Sequence, residues 1–246
     1  MSVKEIPRRA PAKIEDRLIV ALDLPTIAEA REMVARLDGI VSFFKIGLWL
    51  LYASGVDALI DELLARGKRV FLDAKMYDIG ETVKQGVARA AARNVTFLTV
   101  HGDGDIMKAA VEGKGASPLK IFAITALTSL DEAGLRELGF NVSVETLVAQ
   151  RVKNAVRFGV DGIIASAQDG PNRLRALGGS ENLLVATPGI RLPGGALDDH
   201  KRAGTPAQAI RDGADYLVVG RPIIRDPDPA KPALAIIADM RQGAAA

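Results

Sequence analysis

The chain has 246 residues, with 32 basic and 30 acidic side chains and a formal net charge of +2. This near balance, together with an aromatic content of only 4%, argues against nucleic acid and an anionic membrane surface as partners. The sequence contains no cysteine, which excludes disulfide bonds, thiolate metal sites and a cysteine nucleophile.

The N-terminal residues 1–16 are polar and lack the apolar run of a signal peptide. We predict that they form a tail in front of one folded domain over residues 17–240. The most apolar window, residues 41–56, is interrupted by Lys45 and is too short to span a bilayer. We therefore expect a soluble protein of the cytoplasm.

Eight short apolar runs predict β-strands. Most of these runs are nearly continuous instead of alternating with polar residues, which is typical of parallel strands covered by helices. The predicted strands span residues 17–23, 42–47, 69–75, 97–101, 120–127, 162–166, 183–189 and 216–220.

The segments between these strands carry signals for helix ends. Three residue pairs have the spacing of a capping box: Thr26 with Glu29, Ser129 with Glu132, and Thr205 with Gln208. Pro206 occupies the favoured first position of its helix. Glycines that are placed to end a helix are Gly67, Gly159 and Gly213.

Eight β/α units in roughly 230 residues predict a (β/α)8 barrel, a TIM barrel of the α/β class. A doubly wound open sheet remains the alternative, because periodicity alone does not show whether the sheet closes. The longest loop-like stretch, residues 191–204, lies between the seventh and eighth strands.

Charged residues gather where the first three predicted strands end, and this is the edge at which such barrels place catalytic groups. These residues are Asp23, Lys45, Asp73 and Lys75, with Asp78 just beyond them. Because Asp73 and Lys75 are two residues apart, their side chains should leave the same face of the strand. Buried structural ion pairs are the alternative, but burial costs several kcal/mol per ion unless the charges are well paired. Four charges of alternating sign therefore favour a functional site.

The eighth predicted strand ends in Gly220 and Arg221, at the usual phosphate site of these barrels. Arginine can bind two phosphate oxygens at once, and Arg191 after the seventh strand could add a second cation. A simple strand-ending turn is the alternative reading of the Gly-Arg-Pro sequence. Neither His101 nor His200 has partners at metal-ligand spacing, and we expect His101 to be a structural hydrogen bonder.

Several of these segments resemble the orotidine 5′-monophosphate decarboxylase family. The stretch DAKMYDIGETV (73–83) is similar to its Asp-x-Lys-x-x-Asp signature. IVALD (19–23) and FKIGLWL (44–50) resemble its first two strand ends, TPGIR (187–191) the seventh, and residues 205–223 its closing segment. The resemblance runs from about Arg17 to Pro222, nearly the whole predicted domain.

The resemblance implies a lyase that uses no cofactor and no metal. It would convert orotidine 5′-monophosphate to uridine 5′-monophosphate and carbon dioxide, the last step of pyrimidine synthesis. It also implies a homodimer of barrels, with each active site at the subunit interface.

The same resemblance implies a role for each matching residue. Lys75 would donate a proton to C6 of the pyrimidine, and Asp73 would lie beside the departing carboxylate. Lys45 and Asp23 would contact the ribose. Residues implied to come from the partner subunit are Asp78, Ile79 and Thr82. Thr128 would contact the pyrimidine, and the residues on the phosphate side would be Arg191, Gly220 and Arg221.

Two positions depart from the family pattern. His200 stands where the family usually has a phosphate-binding glutamine, although imidazole can still donate a hydrogen bond. Gly80 follows Ile79 where proline is common, which we interpret as a tolerated change in the turn.

Two other functions are compatible with parts of this pattern. A magnesium-dependent sugar-phosphate decarboxylase or synthase of the same superfamily shares Asp-x-Lys-x-x-Asp, but it has an acidic metal ligand where this chain has Lys45. A nucleotide-binding barrel that has lost catalysis is the non-enzymatic alternative. The presence of all five charged positions argues against it.

Overall fold

Eight parallel strands form a closed barrel in the computed structural model, which describes residues 10–127, 130–193 and 204–245. The strands are β1 (Leu18–Ala21), β2 (Phe43–Ile46), β3 (Arg69–Met76), β4 (Phe97–His101), β5 (Lys120–Ile124), β6 (Gly162–Ile164), β7 (Leu184–Pro188) and β8 (Tyr216–Val219). All eight predicted strands are confirmed, although six of them are one to three residues shorter than predicted and the third is one residue longer.

The pairing of the first strand with the last one decides between the two predicted architectures. β1 pairs in parallel with β2 and also with β8, where Leu18 lies opposite Leu217. An open, doubly wound sheet would leave its edge strands unpaired. The (β/α)8 barrel is therefore confirmed.

Helices surround the barrel on its outer face. In the described part of the chain they are α1 (Ile27–Arg36), α2 (Leu48–Leu51), α3 (Val56–Ala65), α4 (Gly80–Ala92), α5 (Gly104–Lys114), α6 (Glu132–Glu137), α7 (Val144–Phe158), α8 (Pro171–Gly178), α9 (Pro206–Arg211), α10 (Arg221–Ile224) and α11 (Ala230–Ala245). Their apolar faces pack on outward-facing strand residues such as Val70 and Leu72 of β3.

The predicted helix caps are confirmed at two of three places. Thr26 forms a full capping box with Glu29, and Thr205 caps α9 by accepting from the backbone N–H of Gln208. The third prediction is corrected: α6 begins at Glu132, and its cap is Asp131, which accepts from the N–H of Gly134. Ser129 lies outside the described residues. The predicted C-terminal glycines all have positive φ: Gly67 (68°), Gly159 (74°) and Gly213 (95°).

Aromatic rings fill the barrel interior beneath its carboxyl-terminal mouth. The interior cluster consists of Ile19, Ala21, Phe43, Phe71, Phe97, Phe122, Leu184, Ala186, Tyr216 and Val218. The ring of Phe97 lies 4.9 Å from Phe43, 4.4 Å from Phe122 and 5.0 Å from Tyr216, measured between centroids. These interlocked rings give the site a rigid floor.

The opposite end of the barrel is closed by polar contacts. Arg69 lies over the ring of Phe43 at 4.6 Å and donates to the backbone oxygen of Asp16 at 2.6 Å. Asp16 belongs to a 3₁₀ turn, Ile14–Arg17, and its carboxylate accepts from the Ser42 hydroxyl at 2.7 Å. The described structure therefore includes contacts made by residues before the predicted domain boundary at residue 17.

Within the described residues, no helix combines the length and the low polarity that crossing a bilayer requires.

Candidate active site

Four charged side chains from the first three strand ends meet at the mouth of the barrel. The ammonium of Lys45 lies 3.0 Å from Asp23 Oδ1 and 3.2 Å from Asp73 Oδ2. Lys75 Nζ lies 2.7 Å from the same Asp73 oxygen. The predicted charge cluster is therefore formed within one chain, with Asp73 shared by two lysines.

The backbone brings Lys75 to Asp73 by a bulge in β3. Leu72 pairs with Leu98, whereas Met76 pairs with Val100, so three residues of β3 face Thr99 alone on β4. Lys75 has a φ of 47°, in the left-handed region that residues with a Cβ seldom adopt. Holding it there costs roughly 1–3 kcal/mol. Asp73 and Lys75 meet as expected, but β3 has a bulge at this point, whereas we predicted a regular strand.

Pairing within the cluster keeps its buried members charged. Burial would lower the pKa of Lys45, but the attraction of Asp73 and Asp23 outweighs it and raises that pKa above 10.5. Burial would likewise raise the pKa of Asp73. The nearby Lys45 and Lys75, with hydrogen bonds from Lys75 and Thr99, instead hold that pKa below 3.8. Both groups are therefore ionised at neutral pH.

The cluster lines a cavity of about 280 Å³ at the mouth of the barrel. Apolar residues form much of its floor and walls: Ala21, Phe71, Ile124, Ala126, Leu127, Ile164, Pro188 and Val218. An adjoining compartment of about 570 Å³ contains the same four charged residues and also Trp49 and Arg225. A mostly apolar pocket with a few convergent charges is the usual form of a small-molecule site.

The residues predicted to bind phosphate lie in the same cavity. Arg191, Gly220 and Arg221 all line it, and Arg221 reaches into the adjoining compartment as well. Gly220 approaches the cluster closely, since a Cβ at this position would lie 3.6 Å from Asp23 Oδ2.

The three residues predicted to serve a partner subunit lie elsewhere. Asp78, Ile79 and Thr82 are all exposed, and none of them lines the cavity of its own chain. Asp78 accepts from the backbone N–H of Ile79 at 2.7 Å, and it makes no ion pair with any described residue.

This chain is similar to known proteins over nearly its whole length. The model of the orotidine 5′-phosphate decarboxylase / HUMPS family matches residues 16–236. The chain belongs to this family. A protein from Afipia carboxidovorans named orotidine 5′-phosphate decarboxylase is 50% identical over 94% of this chain and 97% of its own length. A protein from Rhodopseudomonas palustris with the same name is 49% identical over 92% of this chain and 95% of its own length.

A solved structure supports the same relationship. The crystal structure of orotidine 5′-phosphate decarboxylase from Lactobacillus acidophilus is 33% identical to this chain and superimposes with a TM-score of 0.79. The match covers 92% of this chain and 99% of that one. The family and the barrel predicted from the sequence are thus both confirmed.

Two residues implied by resemblance to the decarboxylase family, Thr128 and His200, lie outside the described residues. His101 is described, and its Nδ1 lies 2.9 Å from Asp103 Oδ2, which agrees with a structural hydrogen bond. The ring of Tyr77 packs against it at 4.6 Å between centroids.

Two residues beside the charge cluster, Thr99 and Gly47, were not predicted from the sequence. Thr99 is fully buried and donates to Asp73 Oδ1 at 2.9 Å. Its hydroxyl interrupts the apolar run of β4, which was the available signal. Gly47 leaves room for the cluster, because a Cβ there would lie 2.7 Å from Asp23 Oδ1. It lies in the segment FKIGLWL (44–50), but nothing in that segment marked the glycine as part of the site.

Proposed function

We propose that this chain decarboxylates orotidine 5′-monophosphate to uridine 5′-monophosphate, with Lys75 as the proton donor and Asp73 and Lys45 as its electrostatic partners. Decarboxylation is the reaction named for the family and for relatives that are 49–50% identical. The observation that carries the residue roles is the alternating cluster, in which Lys75 Nζ lies 2.7 Å from Asp73 in a mostly apolar pocket.

The reaction needs a fixed cation beside C6 of the pyrimidine. When the bond from C6 to the carboxylate breaks, carbon dioxide leaves and the electron pair stays on C6, where no carbonyl is placed to delocalise it. The ammonium of Lys75 stabilises this anion and then transfers a proton to C6, and water restores the proton to the amine. Lysine suits both roles, whereas arginine would supply charge without an available proton.

Asp73 has two effects on this step. It orients Lys75, and it repels the substrate carboxylate until carbon dioxide departs. At a separation near 4 Å and an effective dielectric of 20, this repulsion amounts to about 4 kcal/mol. Enzymes lower barriers by roughly 8–23 kcal/mol, so the repulsion supplies a minor share. The larger contributions are the preorganised field of Lys75 and binding energy from the remote phosphate.

We assign the phosphate to Arg191, Gly220 and Arg221. All three line the cavity that contains the charge cluster, and a guanidinium binds a phosphate group through two hydrogen bonds. Thr128 and His200 remain proposed contacts to the pyrimidine and the phosphate by resemblance alone.

The chemistry of Lys45 favours this reaction over a magnesium-dependent one on a sugar phosphate. Its ammonium lies in the centre of the cluster, within 3.2 Å of both Asp23 and Asp73, and would repel a divalent cation. Among the described residues, no three His, Asp or Glu side chains are grouped as a metal site requires.

The test follows the absorbance of orotidine 5′-monophosphate in the presence of EDTA. We expect wild type to consume it, and Lys75→Ala to lose almost all activity while it still binds uridine 5′-monophosphate. Lys84→Ala is the matched control, since this exposed lysine pairs with Glu112 on the outer surface. Comparable rates for wild type and Lys75→Ala would refute the lysine assignment. Loss of wild-type activity on chelation would favour the metal-dependent alternative, and nucleotide binding without turnover the inactive barrel.

We further propose a homodimer in which Asp78, Ile79 and Thr82 complete the active site of the partner. Their exposure and their absence from the cavity of their own chain support this arrangement. Apolar side chains exposed in the same region include Tyr77 (68%) and Ile79 (73%), and a subunit interface would cover them.

Subunit mixing tests the sharing of sites. When Lys75→Ala and Asp78→Ala chains exchange, each mixed dimer should contain one intact site, so roughly a quarter of wild-type activity should return at equal ratio. Lys75→Ala mixed with Asp73→Ala is the matched control. Both residues come from one chain, and no intact site can form. No recovery in the first mixture despite confirmed exchange would contradict the shared site.

Two further predictions stay proposals. We propose that residues 17–240 form one catalytic domain behind the N-terminal tail, and limited proteolysis should then yield one resistant fragment of that size.

We also propose that the enzyme works in the cytoplasm, because its substrate is a phosphorylated nucleotide. Recovery of the activity in a membrane or secreted fraction would contradict that location.

A further inference from the structure

Thr99 occupies the point where the bulge of β3 meets β4. Its side chain is fully buried, and its hydroxyl makes two hydrogen bonds to the residues of the charge cluster. It donates to Asp73 Oδ1 at 2.9 Å and accepts from the backbone N–H of Lys75 at 3.0 Å. One oxygen atom thus contacts both the carboxylate and the chain segment that carries the ammonium.

The bulge brings the backbone of Lys75 to this hydroxyl. At the bulge, residues 73–75 face Thr99 alone on β4, and the N–H of Lys75 donates to the hydroxyl of Thr99 instead of to a backbone carbonyl. A straight strand would place the Cα atoms of residues 73 and 75 roughly 6–7 Å apart along its axis. Here the backbone of Lys75 is left-handed, with a φ of 47°, and the side-chain Nζ of Lys75 lies 2.7 Å from Asp73 Oδ2.

We propose that Thr99 is a positioning residue for the decarboxylation. Its hydroxyl holds Lys75 in the left-handed conformation and holds the carboxylate of Asp73 in one rotamer, so that the ammonium is aimed at C6 of the substrate. The proposal rests on the function proposed above. A hydroxyl is suited to the task because it donates one hydrogen bond and accepts another at the same oxygen.

Loss of this hydroxyl should act on the chemical step more than on binding. Without it, the N–H of Lys75 is left unpaired, and Asp73 keeps only its lysine partners. A small displacement of a reacting group slows an enzyme by as much as about a hundredfold. We therefore expect kcat to fall roughly ten- to a hundredfold, with KM within about threefold, because the phosphate contacts are unchanged.

The experiment compares three variants by kcat, KM and melting temperature. Thr99→Val keeps the shape but removes the hydroxyl, and Thr99→Ser keeps the hydroxyl. Thr125→Val is the matched control, because Thr125 is also buried and its hydroxyl donates at 2.9 Å to the backbone oxygen of Ile164, outside the cluster. We expect Thr99→Val alone to lose kcat, Thr99→Ser to retain at least a third of it, and the two valine variants to melt at similar temperatures.

Each other outcome has a defined meaning. Unchanged kcat in Thr99→Val overturns the proposal, as does an equal loss in Thr99→Ser. If Thr99→Val fails to fold, Thr99→Cys replaces it, since a thiol is only a weak donor, and a cysteine variant as active as serine overturns the proposal. If wild type does not turn over orotidine 5′-monophosphate, the proposed function fails. The crystal structure of Thr99→Val then decides: an Nζ to Asp73 distance beyond about 4 Å supports the positioning role, and an unchanged distance refutes it.

Discussion

Replacement of Lys45 by methionine should destabilise the protein through the carboxylates that it leaves behind. Methionine has a similar length but no charge. The side chain of Lys45 is 9% exposed and that of Asp73 is 13% exposed, whereas Asp23 is 44% exposed and can be solvated by water. The cost therefore falls mainly on Asp73.

The expected magnitude follows from this difference in exposure. Removing one partner of a buried ion pair costs roughly 3–5 kcal/mol. Asp73 keeps Lys75 and Thr99 as partners, so we expect the lower end, about 3 kcal/mol. For a domain of this size, that loss lowers the melting temperature by roughly 6–12 °C.

The destabilisation by Lys45→Met should also depend on pH. Asp73 has a folded-state pKa below its ordinary value of 3.8, so its stabilisation is present above that pH and is lost as the pH falls through the folded pKa. Without Lys45, burial should raise the pKa of Asp73, and protonation should relieve the unpaired charge at higher pH. The difference in melting temperature between wild type and Lys45→Met should therefore be largest near pH 7 and should shrink towards pH 4.

Differential scanning calorimetry at several pH values measures this difference. The control is Lys84→Met, which removes an exposed pair with Glu112 and should shift the melting temperature by no more than about 2 °C. A difference for Lys45→Met that is as small as the control, or that is the same at pH 7 and pH 4.5, would refute the account of Asp73 as a buried charge stabilised by Lys45.

Three further changes probe the same site. Gly47→Ala would place a Cβ 2.7 Å from Asp23 Oδ1 and 3.0 Å from Lys45 Nζ. We expect kcat/KM to fall roughly ten- to a hundredfold, with little change in melting temperature. Unchanged kinetics would show that the charge cluster tolerates this displacement. Arg221→Ala should weaken uridine 5′-monophosphate roughly ten- to a hundredfold by calorimetry and leave uridine unaffected, and equal losses for both ligands would contradict a phosphate contact. Because pairing lowers the pKa of Asp73 and raises that of Lys45, we expect neither group to cause an inflection of the wild-type kcat between roughly pH 5 and 9, which a pH–rate profile checks.

The sequence predicted the parts of the fold that depend on local pattern. The eight strands follow from apolar runs of strand length, and the caps at Thr26 and Thr205 follow from side chains that bind their own helix ends. Closure of the barrel depends on Leu18 meeting Leu217 across the whole chain, which no local pattern records.

The site was predicted only in part for a related reason. Both faces of each strand are buried, so the apolar runs do not reveal which positions point inward. Charges stood out against that background, and Asp73, Lys75 and Lys45 were identified. Thr99 was missed because a single hydroxyl in an apolar run resembles a tolerated core residue. The bulge that moves Lys75 depends on the register of two strands, which the spacing of residues along one strand cannot specify.

The rings around Phe97, and the closure of the far end of the barrel by Arg69 and Asp16, have a consequence for molecular traffic. Because that end is closed, the incoming nucleotide and both departing products must pass through the carboxyl-terminal mouth of the barrel. Bound product must dissociate before the next substrate molecule can bind. Accumulated product should therefore inhibit the enzyme competitively, and added substrate should relieve this inhibition.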